Sequence, residues 1–324
     1  MKKLLAIIII SIAMVSCYDN YLTDFTYTAI YFPYAMDVRT FVVGEGMKIE
    51  VGAALGGVRD NTINRNVTFT LDNSLVTPTQ LAAMKAASAP YIKSAATPVG
   101  TLQMLPSNFY TISNPNTMVI KAGEYMGAVT IKPDSTTFLN DSLNTMYSTY
   151  VLPFRITAAD ADSVIKLKST NVVGVRFEHM LFGNYWHGGA ATINRPGKAD
   201  TVIYYKWAVN DVASKIWTLS TVGPRTLVTN GYYSQTTTKK EMLLVLNGTQ
   251  VKIGTAAGAT NTYVADGECV FNKAKLLQDR KMFLKYSFVK GGDTYHCNDT
   301  LVFRNRIRDG VNEWQDENPS HYSK

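Results

Sequence analysis

Between Tyr27 and Lys168 the chain is written as short apolar runs broken by glycine, asparagine and proline: "AIYFPY", "MKIEVGAAL", "NVTFTLD", "MVIKAGEYMGAVTIKP" and "YVLPFRI". In "NVTFTL" and "GAVTIKP" apolar and polar residues alternate, the period of two that buries one side of a strand and wets the other. Several such runs with turn residues between them predict a β-sandwich of immunoglobulin size. One stretch departs from the pattern. "TPTQLAAMKAASAPYI" is rich in strong helix formers as far as Pro90 and predicts a short helix inserted between strands.

"VVGVRFEHMLFGNYWHGG" reads as a seam, a last strand of the first domain passing into the glycine-rich start of a second. After it come "TVIYYKWAVN", "KIWTLSTVG", "EMLLVLNG", "TQVKIG", "RKMFLKYSFVKGG" and "DTLVFRNRI", strand-like pieces separated by turn residues. "VLNGTQVKI" predicts a hairpin, its Asn247-Gly248 supplying the positive φ angles of a type I′ turn. The expected architecture is all-β: an immunoglobulin-like sandwich over 27–178, then an antiparallel barrel of lipocalin type, or a second sandwich, over 179–324. In "TLVFRNRIR" strict alternation would put Leu301, Phe303, Asn305 and Ile307 on one side, and Val302, Arg304, Arg306 and Arg308 on the other.

The opening residues follow a different rule. "MKKLLAIIIISIAMVSCYDN" has two lysines, an apolar and small-residue run from Leu4 to Val15, then Ser16 and Cys17. The run is shorter than the roughly 20 apolar residues that span a bilayer, and the charged, apolar, small order is that of an export signal. A cysteine after a small residue resembles a bacterial lipobox, whose thiol is acylated and becomes the first mature residue. Met14 departs from the leucine favoured there. The expectation is a signal peptide over 1–16, lipidation at Cys17, a tether over 17–26 and a soluble body tethered to a membrane, since multiple acyl chains give stable anchoring. An ordinary secretory signal is the alternative.

Composition changes this picture little. The 324 residues are 46% hydrophobic, enough for real cores, and the net charge of +7, of which Lys2 and Lys3 supply two, is spread without long basic runs. Nucleic acid is not indicated. Outside the cytoplasm Cys269 and Cys297 could form a disulfide, but their spacing does not show whether they approach, so a bridge and two free thiols both fit. A zinc site at His296 and Cys297 lacks a second ligand pair. No cofactor is expected.

No nucleophile elbow, zinc-protease helix or phosphate loop is present, and "GEGMKIEVG" reads as a turn leading into a strand. A glycosidase needs two carboxyl groups roughly 5 to 10 Å apart. Glu178, Asp309, Glu313, Asp316 and Glu317 form the pool, but most of them lie beside Arg304, Arg306 and Arg308, where mutual ion pairing is the ordinary outcome. The arginines could instead make a basic strip for sulfated or uronic glycans, or a clasp that folds back on the domain. A sugar-binding site needs aromatic platforms. Trp207 and Trp217 sit in apolar strand patterns and belong in a core, whereas Trp186, Tyr232, Tyr233 and Trp314 are the candidate platforms, the two tyrosines because they lie in a polar loop.

"LFGNYWHGG", "WTLSTVGPRTLVTNG", "AKLLQDRKMFLKYSF" and "DTLVFRNRIRDGVNEWQDENPSHY" together resemble the C-terminal domain of unknown function of Bacteroidetes outer-membrane lipoproteins. "YFPYAMDVRTF", "GGVRDNTINRNVTFTLD", "LPSNFYTISNPNTMVIKAGEYMGAVTIKPD" and "YVLPFRITAAD" are similar to the immunoglobulin-like module that precedes it. Trp186 stands where relatives more often show tyrosine. The resemblance implies a lipid-anchored place in the outer membrane, exposed at the cell surface or facing the periplasm, company with SusC/SusD-like glycan-uptake systems and a glycan-binding or accessory role, with no catalytic motif to carry over. Asp141, Asp162, Asp200 and Asp299 each begin an aspartate, hydroxyl, apolar tripeptide like those Bacteroidetes glycosylate, and Asp134 begins a similar one with Thr136 third; turn initiation is the preferred reading at each site. Three classes therefore stand: a glycan-binding accessory lipoprotein, a carbohydrate-active enzyme with an unrecognised site, and a structural or adhesive surface protein.

Overall fold

The computed structural model describes residues 27–206 and 216–316. The signal segment, Cys17, the tether, Trp207, Glu317 and His321 lie outside the described residues. The chain is mostly strand, as the alternating patterns predict. No helix among the described residues is long and apolar enough to cross a membrane.

The first part is a sandwich. One sheet runs in the order Ser163–Val164, Ala29–Tyr31, Ile49–Gly56, Met126–Pro133, Tyr110–Ile112, and the other in the order Met36–Val43, Thr170–His179, Tyr150–Ala159, Arg65–Leu71, Thr117–Ile120. Phe32, Phe41, Phe69, Phe154 and Phe177 fill the space between them. Met36–Val43 runs parallel to Thr170–His179 in unbroken register from Met36 opposite Val172 to Val43 opposite His179. That pairing delivers both strand ends to the second domain.

The alanine-rich insert forms two helices, Pro78–Lys85 and Pro90–Ala96, where one ending at Pro90 was expected. Proline lacks an N–H to lose at the first helical position, so Pro90 starts a helix as readily as it stops one. Leu81, Met84, Ile92, Ala95 and Ala96 pack on Val38, Val151 and Val172, covering the sheet's outer face. This third layer explains why Tyr150–Phe154 is buried on both sides.

In the second part, the sheet that starts at Gly183–Asn194 runs through Ile216–Gly223, Thr226–Thr229, Met242–Asn247, Gln250–Thr255, Val270–Phe271 and Lys281–Lys290 to Asp293–Arg308. Asp293–Arg308 then pairs with Gly183–Asn194, so the sheet returns to its first strand. Thr201–Tyr205 and Ile216–Gly223 occupy successive stretches of one flank of Gly183–Asn194. Trp217, Tyr185, Tyr286, Leu284 and Phe303 fill the interior.

Two local predictions need correction. The Met242–Asn247 hairpin forms, but Asn247 pairs with Gln250, leaving Gly248 and Thr249 as the turn. Only Gly248 of these has positive φ, at 63°, which is the need of a type II′ turn with glycine first. The arginine strand also breaks strict alternation. Its register against Gly183–Asn194 shifts between Phe303, opposite Tyr185, and Asn305, opposite Asn184, so Arg304 is an extra residue. A bulge of this kind reverses which residues face inward. Leu301 and Phe303 are buried before it and Arg306 after it, and the arginines do not share a face.

Candidate functional site

The seam between the two parts is built on one carboxylate. Glu45 sits between Gly44 and Gly46, both with positive φ, in a turn just after Met36–Val43. A side chain at Gly44 would meet Met180 Sδ at 2.6 Å, so only glycine lets this turn approach the second domain. Arg306 donates from both terminal nitrogens to Glu45, Arg280 reaches Glu45 Oε1 at 2.7 Å, and Arg306 Nε donates to Glu313 Oε2 at 2.5 Å. Arg308 also pairs with Glu313. Burial alone would raise the Glu45 carboxyl; hydrogen bonds and charge from Arg306 and Arg280 outweigh it and hold the pKa below the ordinary value. His179 is pushed down to about 4, chiefly by burial and then by Arg280.

Beside this cluster the turn Asp309-Gly310 docks on the sandwich. Asp309 accepts from the Thr40 N–H at 3.0 Å and the Thr40 hydroxyl at 2.6 Å. Both turn residues have positive φ, and Arg308 pairs with Val311, so this is a two-residue hairpin closed by Asp-Gly. The clasp reading of the arginine segment is the one the geometry supports, with the partner surface on the first domain. The carboxyl pool is accounted for similarly: Asp309 on Thr40, Glu313 between two arginines, Asp316 accepting from the Leu277 N–H, and Glu178 against Arg176 at 3.1 Å.

The four predicted platforms separate into two groups. Tyr232 is 4% exposed and packs its ring on Tyr263 and Phe288. The "GYYSQT" hairpin folds inward, with Trp217 Nε1 donating to the Gln235 carbonyl, so a polar loop carries a core residue. Tyr233, half-buried and at φ 50°, stands edge-on to Tyr205 and Tyr295, while its N–H donates to the Tyr286 hydroxyl. Neither is an open platform. Trp186 lies on the outer side of its strand with the Arg304 guanidinium 5.0 Å over its ring, and Trp314 is 55% exposed.

The strands that carry Trp186 and lead to Trp314 also hold a feature that residue types alone did not reveal. Thr218 donates to Asn184 Oδ1, Asn184 donates to Asn305 Oδ1 at 3.2 Å, and Asn305 donates to Asn312 Oδ1 at 2.7 Å, an amide ladder across neighbouring strands. Arg304 donates to Asn305 as well. The signal was present as "FGN", "RNR" and "VNE", three asparagines at strand positions where polar amides are uncommon.

Two clefts flank the docked hairpin. The first, about 670 Å³, is lined by Tyr34, Asp37, Arg39, Lys48, Glu50 and Asn171 among others. Asp37 accepts from the Tyr91 hydroxyl at 2.7 Å, and burial raises its pKa against the pull of Arg39. The second, about 470 Å³, has Tyr91, Tyr147, Arg176, Glu178, Asn184 and Thr218 on its walls and continues from the amide ladder through Asn184 and Ile307.

A third polar group lies inside the closed sheet. Asp299 accepts from the Tyr205 and Tyr286 hydroxyls, and His187 Nε2 is 3.0 Å from it with its ring stacked on Trp217 at 3.8 Å. All are buried, so this is a core network beyond solvent's reach, in which the tyrosine hydroxyls bond Asp299 while His187 Nε2 makes no hydrogen bond. Cys269 and Cys297 are free and buried, which removes the disulfide alternative from the described fold. His296 bonds Asp266 at 2.6 Å and is half-exposed, while the adjacent Cys297 points inward, so the two do not share a ligand position. Asp134 caps a helix through the Thr137 N–H, and Asp162 accepts from Thr28, the local roles that aspartate-hydroxyl pairs take in turns.

Residues 19–163 match a family model whose description reads "-like, N-terminal domain", covering most of the sandwich. No curated protein matches the chain. A crystal structure of a protein of unknown function from Bacteroides ovatus, at 2.40 Å resolution, is similar over 90% of this chain and 98% of that one, at 18% identity and a TM-score of 0.61. The likeness shows that the two share a fold across both domains. A multidomain protein including DUF1735, also from Bacteroides ovatus, aligns over 88% of this chain and 97% of its own at 11% identity and a TM-score of 0.41.

Proposed function

We propose that this protein is a lipid-anchored surface protein that binds carbohydrate without cleaving it, at the amide ladder with Trp186 and Trp314. The observation that carries the reading is the ladder itself. Asn184, Asn305 and Asn312 present amide donors and acceptors in a row, and in the chain the Arg-backed Trp186 follows Asn184 by two residues and the exposed Trp314 follows Asn312 by two. A sugar ring offers C–H groups to a flat π face and hydroxyls to planar amides, which is this combination. The export-signal order before Cys17 supports the anchor. A place beside SusC/SusD-like uptake proteins in the outer membrane follows from the family resemblance.

At the second cleft hydrolysis fits less well. Glu178 is the one carboxyl among the residues lining it, and retaining or inverting cleavage takes two. The test is calorimetry and affinity electrophoresis of the soluble body from Tyr18 onward against plant, host and fungal polysaccharides, with reducing ends assayed in parallel. Binding weakened about tenfold or more by Trp314→Ala, without sugar release, is expected. Failure of every polysaccharide to bind, or release of sugar, overturns the proposal.

A further inference from the structure

We infer that the ligand is a neutral, hydroxyl-rich saccharide, one unit of which enters the second cleft and donates a hydrogen bond to Glu178 Oε2. This rests on the carbohydrate reading above and narrows it to a chemical class and a specificity-determining residue.

The argument starts from the charges. The ionisable side chains on the cleft's walls are Arg176, Glu178, Arg306 and Tyr91 with Tyr147. Arg176 is held by Glu178 Oε1 at 3.1 Å and donates from Nε to the Thr40 hydroxyl. Arg306 is saturated by Glu45 and Glu313. On the approach, Arg304 lies over Trp186 and bonds Asn305. Each cation along this path is already engaged, so a carboxylate or sulfate on the ligand would find no guanidinium waiting for it. The basic strip that the sequence allowed is spent on the seam.

What the cleft does leave open is an acceptor. Glu178 Oε1 faces Arg176, but its buried Oε2 has no hydrogen-bond donor in the protein. Buried oxygens are nearly always paired, and this one belongs to a residue that lines a cleft of ligand size. A negative oxygen calls for a donor and repels an anion. The other polar walls are neutral: Ser94, Thr218, Ser220 and the Asn184 amide. An uncharged hydroxyl is the donor that suits all of them.

The experiment titrates the same soluble body by calorimetry with neutral gluco-, xylo-, manno- and galacto-oligosaccharides and with oligogalacturonate and a sulfated oligosaccharide. The tightest ligand is expected to be neutral, and Glu178→Gln is expected to weaken it about tenfold or more. Monodeoxy versions of that ligand provide a second readout. One missing hydroxyl should cost affinity in the wild type and nothing further in Glu178→Gln, and thermal melting checks that the variant is folded. A preference for uronic or sulfated ligands overturns this inference while leaving carbohydrate binding in place. So does a Glu178→Gln protein that binds as the wild type does while Trp314→Ala is impaired. If no saccharide binds, the broader reading has failed first.

Discussion

Arg306 and Glu45 are separated by 261 positions in the chain, yet the guanidinium of one donates two hydrogen bonds, at 2.9 and 2.8 Å, to the carboxylate of the other. The pair is nearly buried and joins the two domains. Removing one partner of such a pair leaves a buried charge unmet, at a cost of about 3 to 5 kcal/mol; here Arg280 remains beside Glu45, which argues for the lower figure. Arg306→Ala is therefore expected to lower stability by about 3 kcal/mol in urea unfolding. A cycle with Glu45→Ala should show strong coupling, and additivity of the two losses would sink the idea that they act as a unit.

The seam should weaken in mild acid. His179 has its pKa lowered to about 4 in the fold, so between its ordinary value of 6.5 and about 4 the unfolded chain binds the extra proton and stability falls with pH. The effect across this window is at most about 3 kcal/mol. Glu45, also lowered, adds its loss below the ordinary carboxylate range. Asp37 and Glu178, both raised by burial, run the other way in that range, their contribution shrinking as pH rises through it. The upper part of the window is thus the one to watch: the stability slope from pH 6.5 to 5 should flatten in His179→Asn, and an unchanged slope would assign it elsewhere.

The docked turn gives a packing test with an internal control. Gly310 has φ 84° and a side chain there would meet Tyr91 Cε1 at 2.9 Å, whereas Gly123 has φ 81° with nothing within 4 Å. Gly123→Ala should cost the backbone strain alone, about 1 to 2 kcal/mol. Gly310→Ala should cost about 1 to 3 kcal/mol more, because an added methyl has to displace the ring. Equal urea midpoints for the two variants would show that the turn is not held against Tyr91.

Thiol chemistry should be silent until the protein unfolds. Cys269 Sγ lies between the backbone N–H and carbonyl of Lys285, at 3.1 and 3.2 Å, and burial pushes the Cys297 thiol up to about 12. In the soluble body from Tyr18 onward, which lacks Cys17, no thiol should react with Ellman's reagent at pH 8 under native conditions. Two should react in denaturant without any reductant. None reacting there would mean a disulfide.

The strand pattern, the sandwich and the seam at "FEHMLFGNYWHGG" could be read directly, because a period of two and glycine punctuation are local signals. What escaped reading was long-range. Nothing near Arg304 shows the bulge, which exists only relative to Asn184 and Tyr185 on another strand. The inward fold of "GYYSQT" was likewise hidden, since its loop composition is polar and its burial comes from Trp217, Phe288 and Tyr263 contributed by distant strands. Of the site, Trp186 and Trp314 were legible as aromatics without a core pattern. Asn184, Asn305 and Asn312 were not, because an amide ladder is a property of register and appears only once the strands are aligned.

Asp293–Arg308 is the last long strand to be made, and it does three things at once: it closes the sheet on Gly183–Asn194, supplies Arg306 to the seam and leads into the turn that holds Thr40. A chain that appears from its N-terminus therefore carries Glu45 without its arginines, and Thr40 without Asp309, until nearly all of it has emerged. The order of assembly is fixed by where that strand lies in the gene. The sandwich can form early, but the Glu45 cluster, the open sheet and the amide ladder are all completed by the same final segment, so an incompletely delivered molecule lacks all three.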